Sequence, residues 1–197
     1  GGVGEERDGN RALIAAGTGL GEALLFWDGT RHIPSASEGG HTDFAPTTPA
    51  QAGLLGYLKE KHGGHVSYER VVSGPGLESI YRFLSEGREK ETPARLKARL
   101  DAQDVSSVVS EEAISGTDPV CKEALDMFLA VYGAEAGNLA LKSLPVGGLF
   151  VGGGIAPKIL KAFEGPAFME AFRDKGRFSG LLSRIPVAPD ACVSHGK

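Results

Sequence analysis

Arg11-Ala12-Leu13-Ile14-Ala15-Ala16-Gly17-Thr18-Gly19-Leu20-Gly21-Glu22-Ala23-Leu24-Leu25-Phe26-Trp27-Asp28-Gly29 is the stretch that decides the fold. Two apolar runs, Arg11 to Ala16 and Glu22 to Trp27, flank a glycine turn. Asp28-Gly29 is a strong hairpin signal, and a third run begins at Thr30, so the pattern predicts a β-meander. Downstream, Ser35 to Pro49 lacks periodicity and reads as a loop. Thr48 before Pro49 predicts a helix start; Ala52, Leu55 and Leu58 keep helical spacing until Gly63-Gly64. A second helix is predicted from Gly76 to Ser85, with Leu77, Ile80, Tyr81 and Leu84 on one face. Gly87 to Gln103 is charged and reads as a solvated loop or short exposed helix.

Asp118-Pro119 opens the clearest helix, because Asp caps, proline suits the first turn, and Ala124, Phe128, Val131, Ala134 and Leu139 recur at helical intervals up to Pro145. Gly148 to Val151 predicts a short buried strand, Gly152-Gly153-Gly154 a loop, and Pro157 the first turn of another helix. Short helices at Ala167 to Asp174 and Phe178 to Ser183 precede a last strand, Ile185 to Val187. Strands alternating with helices predict one α/β or α+β domain with a mixed sheet.

Composition narrows the function. The 197 residues are 41% hydrophobic and 23% charged, enough apolar material for a core. The net charge of -4 has its signs interspersed, which argues against nucleic acid as a partner. No apolar run approaches the roughly 18 residues of a membrane span. Gly1 to Asn10 is glycine-rich and charged, unlike a secretory signal, so the expected location is the cytoplasm, with no membrane partner. Cys121 and Cys192 stand far apart without metal spacing and are expected to be reduced.

Three clusters are candidates for chemistry. The turn Gly17-Thr18-Gly19 exposes backbone N–H groups and a hydroxyl that suit a phosphate oxygen, although a tight hairpin needs glycines too. No Lys-Ser or Lys-Thr follows it, so it is not a Walker loop. Gly152-Gly153-Gly154 joins a strand to a helix start, which favours an anion or nucleotide; close packing is the alternative. In Glu38-Gly39-Gly40-His41, paired glycines let a carboxylate and an imidazole converge on a polar ligand such as a sugar; otherwise both are surface residues. Glu69, before Arg70-Val71-Val72-Ser73-Gly74-Pro75-Gly76, is a further candidate or an exposed carboxylate. His62-Gly63-Gly64-His65 has superficial metal spacing but no nearby Cys or carboxylate cluster, so no metal site is expected.

In order and spacing, these motifs resemble the bacterial glucokinase family. The likeness runs from Ala16 to Gly21 through Glu38 to His41 with Asp43 to Pro46, and Glu69 to Leu77. It continues at Gly137-Asn138-Leu139-Ala140-Leu141, Gly148 to Ile155 and Asp174 to Phe178. The resemblance implies the actin-like ATPase, ribonuclease H-like fold of sugar kinases, with ATP and glucose between two α/β lobes. It implies Glu38, His41 and Glu69 as glucose ligands, Gly17, Thr18 and Gly19 as a phosphate loop, and Gly153 and Gly154 on the adenosine side. ATP with Mg²⁺ is the expected cofactor and a homodimer the expected assembly.

The chain departs from the family pattern in three places. A first phosphate loop of the Asp-x-Gly-Gly-Thr type, the Asn-Asp pair that carries the catalytic aspartate, and a glycine-rich segment after the last strand have no match. The expectation is therefore that residues 1–197 are the C-terminal large lobe, inactive alone and with no catalytic residue in this chain. A non-catalytic sugar-binding regulator of the same fold, as in the ROK family, is the alternative; the helix-turn-helix and cysteine-rich zinc motif usual there are not in this sequence.

Overall fold

The expected meander forms. In the computed structural model, which describes residues 8–88 and 91–189, β2 (Leu20–Trp27) pairs antiparallel with both β1 (Arg11–Ala16) and β3 (His32–Ser37). β4 (Gly148–Gly152) lies parallel to β1 on its other side, and β5 (Val187–Pro189) lies parallel to β4. The order across the sheet is β3-β2-β1-β4-β5, a mixed sheet of the expected α/β kind. Alternation along β1 buries Ala12, Ile14 and Ala16 on one face.

Helices pack on this sheet and on each other. α1 (Pro49–His62) starts where Thr48 accepts the Gln51 N–H and ends at Gly63, whose φ of 71° suits glycine. α2 (Gly74–Ser85) is capped by Ser73 and buries the four residues read as its apolar face, Leu77, Ile80, Tyr81 and Leu84. α3 (Ala94–Ala102) buries Leu96 alone, in keeping with a short exposed helix. α4 (Val105–Ser115) follows, and α5 (Pro119–Ser143), capped by Asp118, is the central helix. α5 packs most closely on α6 (Ala167–Arg173), and α7 (Ser179–Leu182) ends the helical layer. Ala124, Phe128, Val131, Ala134 and Leu139 are all buried, as their spacing predicts. Among the described residues no helix is long and apolar enough to cross a membrane.

Several boundaries differ from the sequence reading. β3 begins at His32, because the Asp28 carboxylate accepts the N–H groups of Thr30 and Arg31 and folds both into the turn. It continues to Ser37, paired through to Glu22, so Ser35 to Ser37 are strand despite their polarity. The segment opened by Pro157 is a 3₁₀ stretch, Ala156–Glu164, kinked at Ile159, and not an α-helix. β5 starts two residues late, because the Arg184 and Ile185 N–H groups bond back to Leu181 and Leu182. α4 was not anticipated, although Asp104 and Gly116 bracket it as caps. It is anchored by Glu112, whose buried carboxylate takes a bidentate bond from Arg95 at 2.8 and 2.6 Å and further bonds from Arg99 and Thr117. Cys121 is buried and free, and burial pushes its thiol well above the usual range; Cys192 lies outside the described residues.

α5 and α6 approach so closely that a methyl on Gly133 would sit 2.1 Å from the Phe168 carbonyl oxygen. Helix propensity favours alanine over glycine by about 1 kcal/mol. The overlap is with backbone, so the steric cost of about 1–3 kcal/mol or more prevails. Gly133→Ala is expected to lower the denaturant midpoint of unfolding; an unchanged or raised midpoint contradicts this packing.

Candidate functional site

β1 and β4 are parallel, so their C-terminal ends and the two glycine turns that follow open at one edge of the sheet. Tyr132 of α5 reaches this edge from below: its hydroxyl accepts the Ala16 N–H at 3.2 Å and lies 3.2 Å from the Ile14 carbonyl and 3.4 Å from that of Gly152. Above it the turns knit together. Ile155 N–H bonds the Ala16 carbonyl (3.1 Å), and Gly74 N–H, at the start of α2, bonds the Gly17 carbonyl (2.9 Å).

The glycines in these turns have different reasons to be glycine. At Gly153, φ is +89° and a methyl would lie 2.2 Å from the Ala16 carbonyl oxygen; at Gly19 it would lie 2.5 Å from a Glu69 oxygen. Gly153 is therefore required by backbone packing, whereas at Gly19 the obstacle is the tip of the Glu69 side chain. A methyl on Gly154 meets nothing within 4 Å, and one on Gly17 meets only the Gly154 nitrogen at 3.9 Å. These two positions face open space, as does Thr18. The expected helix N-terminus after Gly154 is a 3₁₀ start without a side-chain cap, so a full helix dipole is not available there.

Glu38-Gly39-Gly40-His41 lies flat on β2. A methyl on Gly40 would meet the Leu20 carbonyl oxygen at 2.1 Å, and one on Gly39 the Glu22 carboxylate at 1.9 Å. Gly39–His41 form a 3₁₀ turn closed by the His41 N–H on the Glu38 carbonyl. The chain then zips against residues 66–68 through Phe44 N–H to Val66 and Tyr68 N–H to Thr42. That pairing brings His41 to Glu69, Nε2 to Oε1 at 3.8 Å, while Glu69 Oε2 accepts the Leu20 N–H at 3.0 Å. Glu69, itself in a 3₁₀ turn (Tyr68–Arg70), is 31% exposed and His41 59%. Glu38 stands at the entrance of the same turn, exposed, and among the described residues no ion pair or side-chain hydrogen bond engages its carboxylate. His65, read beside His62 for metal spacing, instead pairs with Asp43 at 2.8 Å.

Beneath the turn runs a polar network that the sequence reading missed. Asn138 on α5 donates to Tyr68 Oη (3.1 Å) and Glu135 Oε2 (2.8 Å), and Lys175 Nζ donates to Asn138 Oδ1 (2.8 Å) and the Ala134 carbonyl (3.0 Å). Glu22 of β2 faces Glu135, and both are buried. The available signal was a glutamate on an otherwise apolar stripe at each position, 22 and 135.

This arrangement has counterparts. The family model described as Glucokinase matches residues 1–189. A curated glucokinase of Synechocystis sp. is 46% identical over 189 residues, covering 89% of this chain and 53% of the relative. A crystal structure of glucokinase from an Antarctic psychrotroph superimposes with a TM-score of 0.78 at 34% identity, over 94% of this chain and 55% of that one. A glucokinase from Balamuthia mandrillaris, solved in complex with glucose, shares the fold with a TM-score of 0.79 at 22% identity, over 92% of this chain and 50% of that one. The chain spans about half the length of the curated relatives it matches. With a family match running through both glycine turns and the Glu69 pairing, the chain belongs to the glucokinase family.

Proposed function

We propose that residues 1–197 supply the larger, C-terminal lobe of an ATP-dependent glucokinase that transfers the γ-phosphoryl group of ATP to the 6-hydroxyl of glucose, the other lobe lying outside them. The observation that carries this reading is the double engagement of Glu69. One oxygen holds the Leu20 N–H beside the Gly17–Gly19 turn, and the other faces His41. A phosphate-type turn and a polyol-type pair are thereby joined through one carboxylate. Phosphoryl transfer to a hydroxyl rests mainly on such positioning and on charge neutralisation.

In this reading Glu38, His41 and Glu69 take the sugar hydroxyls, the carboxylates as acceptors and the imidazole as donor or acceptor according to its tautomer. Glucose is chosen over other hexoses because relatives at 43–46% identity are glucokinases. Gly17, Thr18 and Gly19 approach the phosphates and Gly153 and Gly154 the adenosine side; the open space at Gly17 and Gly154 is room for such a ligand. ATP supplies the phosphoryl group, and Mg²⁺ arrives on its phosphates. The base that accepts the hydroxyl proton is assigned to the other lobe. A cytoplasmic homodimer is the setting proposed with this activity.

Three measurements test the reading. Losing a hydrogen bond to a charged group costs about 1.5–3 kcal/mol, so Glu69→Gln in the full-length kinase is expected to raise the glucose KM by about ten- to a hundredfold. Unchanged glucose kinetics would remove Glu69 from the sugar site. Gly154→Ala is expected to weaken ATP more than glucose without lowering the melting temperature, while Gly153→Ala lowers the melting temperature because it strikes Ala16. A Gly154→Ala variant with wild-type ATP affinity would take the nucleotide away from this turn. Finally, residues 1–197 alone are expected to give no glucose 6-phosphate in a coupled assay in which the full-length protein is active. Comparable turnover would place the base within these residues.

A further inference from the structure

Glu22 is the one glutamate in the meander strands that points into the interior, 8% exposed on β2 between Ile14 of β1 and Ser37 of β3. Across from it stands Glu135 of α5, fully buried. Each has an oxygen, Oε1, that is buried with no hydrogen-bond partner when both are counted as acceptors. Two buried carboxylates side by side cannot both be ionised without strong repulsion, and a single proton between them satisfies the orphaned acceptors. The other Glu22 oxygen lies against Gly39, 1.9 Å from where a side chain there would begin. The carboxyl thus touches the backbone of the turn that carries His41.

We infer that Glu22 is a positioning residue for the sugar-facing turn: wedged between Glu135 and the Cα of Gly39, its carboxyl sets the height at which Gly39–His41 lie on β2 and His41 faces Glu69. This rests on the sugar-site reading proposed above and adds to it a dependence on one buried proton.

The charged groups around the pair decide who holds the proton. Glu135 accepts from Asn138 and has Lys142 and Lys175 nearby, with Asp174 beside Lys175, so it is the better anion. Tyr68 and Tyr132 close the space, both held neutral by burial. Glu22 has only Lys142 in its favour; burial first, and the charge of Glu135 second, push its carboxyl up to about 7. An acid raised in this way contributes its stabilisation below its unfolded pKa of 4.5 and loses it as pH rises through about 7. Above that point both carboxylates are charged and repel each other, and the Glu22 carboxyl, which lies against Gly39, passes that repulsion to the turn.

The test is the pH profile of glucose KM and kcat in the full-length kinase for wild type, Glu22→Gln and Glu69→Gln, with melting temperatures recorded alongside. Wild-type glucose KM is expected to rise above pH 7, approaching about tenfold per pH unit in the limit where only the protonated pair binds, with the ATP KM unchanged. Glu22→Gln keeps a neutral donor toward Glu135 and is expected to hold the low-pH glucose KM across the range. Should Glu22→Gln fail to fold, Glu135→Gln removes the opposing charge from the other side and is expected to flatten the profile likewise. A Glu22→Gln or Glu135→Gln profile that follows wild type, or a flat wild-type profile, overturns the positioning role. If Glu69→Gln leaves the glucose KM unaltered, it is the sugar-site reading that fails, whatever Glu22 does.

Discussion

The hydroxyl of Tyr132 is the contact on which the functional edge of the sheet depends. β1 and β4 end side by side, and a parallel pair leaves backbone groups at its end without ladder partners. Tyr132 satisfies the Ala16 N–H and returns its own proton to the carbonyl of Ile14 or Gly152. Burial keeps the hydroxyl neutral, so it remains a donor at any ordinary pH. Its ring is fixed by edge contacts with Phe128, Phe163 and Phe168. Core packing of α5 therefore sets the positions from which both glycine turns begin.

From that anchor the site is assembled by close backbone approach. Gly153 lies on Ala16, Gly40 on Leu20, Gly39 on Glu22, and Gly19 against Glu69. Gly153 and Gly40 lie against backbone and fix their loops on the sheet without a side chain, whereas Gly39 and Gly19 make room for the carboxylates of Glu22 and Glu69. Gly17 and Gly154 differ, since no part of the protein fills the space beside them. Glycine is thus used in two ways within one site: at four positions to bring protein segments together, and at two to leave room.

Charge is handled in two ways as well. Glu112 sits among Arg95, Arg99 and Thr117, which hold its carboxyl down to about 2 and make it a permanent anion between α3 and α4. Glu22 and Glu135 have no arginine beside them; Glu135 accepts from Asn138, and one oxygen of each carboxyl is left without a partner under the sugar-facing turn. The first arrangement is structural and insensitive to physiological pH. The second places a titratable group directly beneath the residues proposed to meet the substrate.

The sequence by itself determined the elements whose signals are local: the antiparallel meander with its Asp28-Gly29 turn, the capped starts of α1 and α5, the apolar face of α2, and the order of motifs that marks the family. It misplaced the edges of β3 and β5, where polar residues are held in a strand and a helical turn runs on past its apolar pattern. It also missed α4, whose buried face is interrupted by Ser110 and Glu112. Only the tertiary structure decided that Glu69 reaches back to the Leu20 N–H, and that Glu22 and Glu135 are buried face to face. It also decided which glycines face the protein and which face open space. The physical reason is range. Periodicity, caps and turn residues act over a few positions, whereas these contacts arise where α5 and the zipped 42–68 segment bring distant backbone within a few ångströms of the sheet.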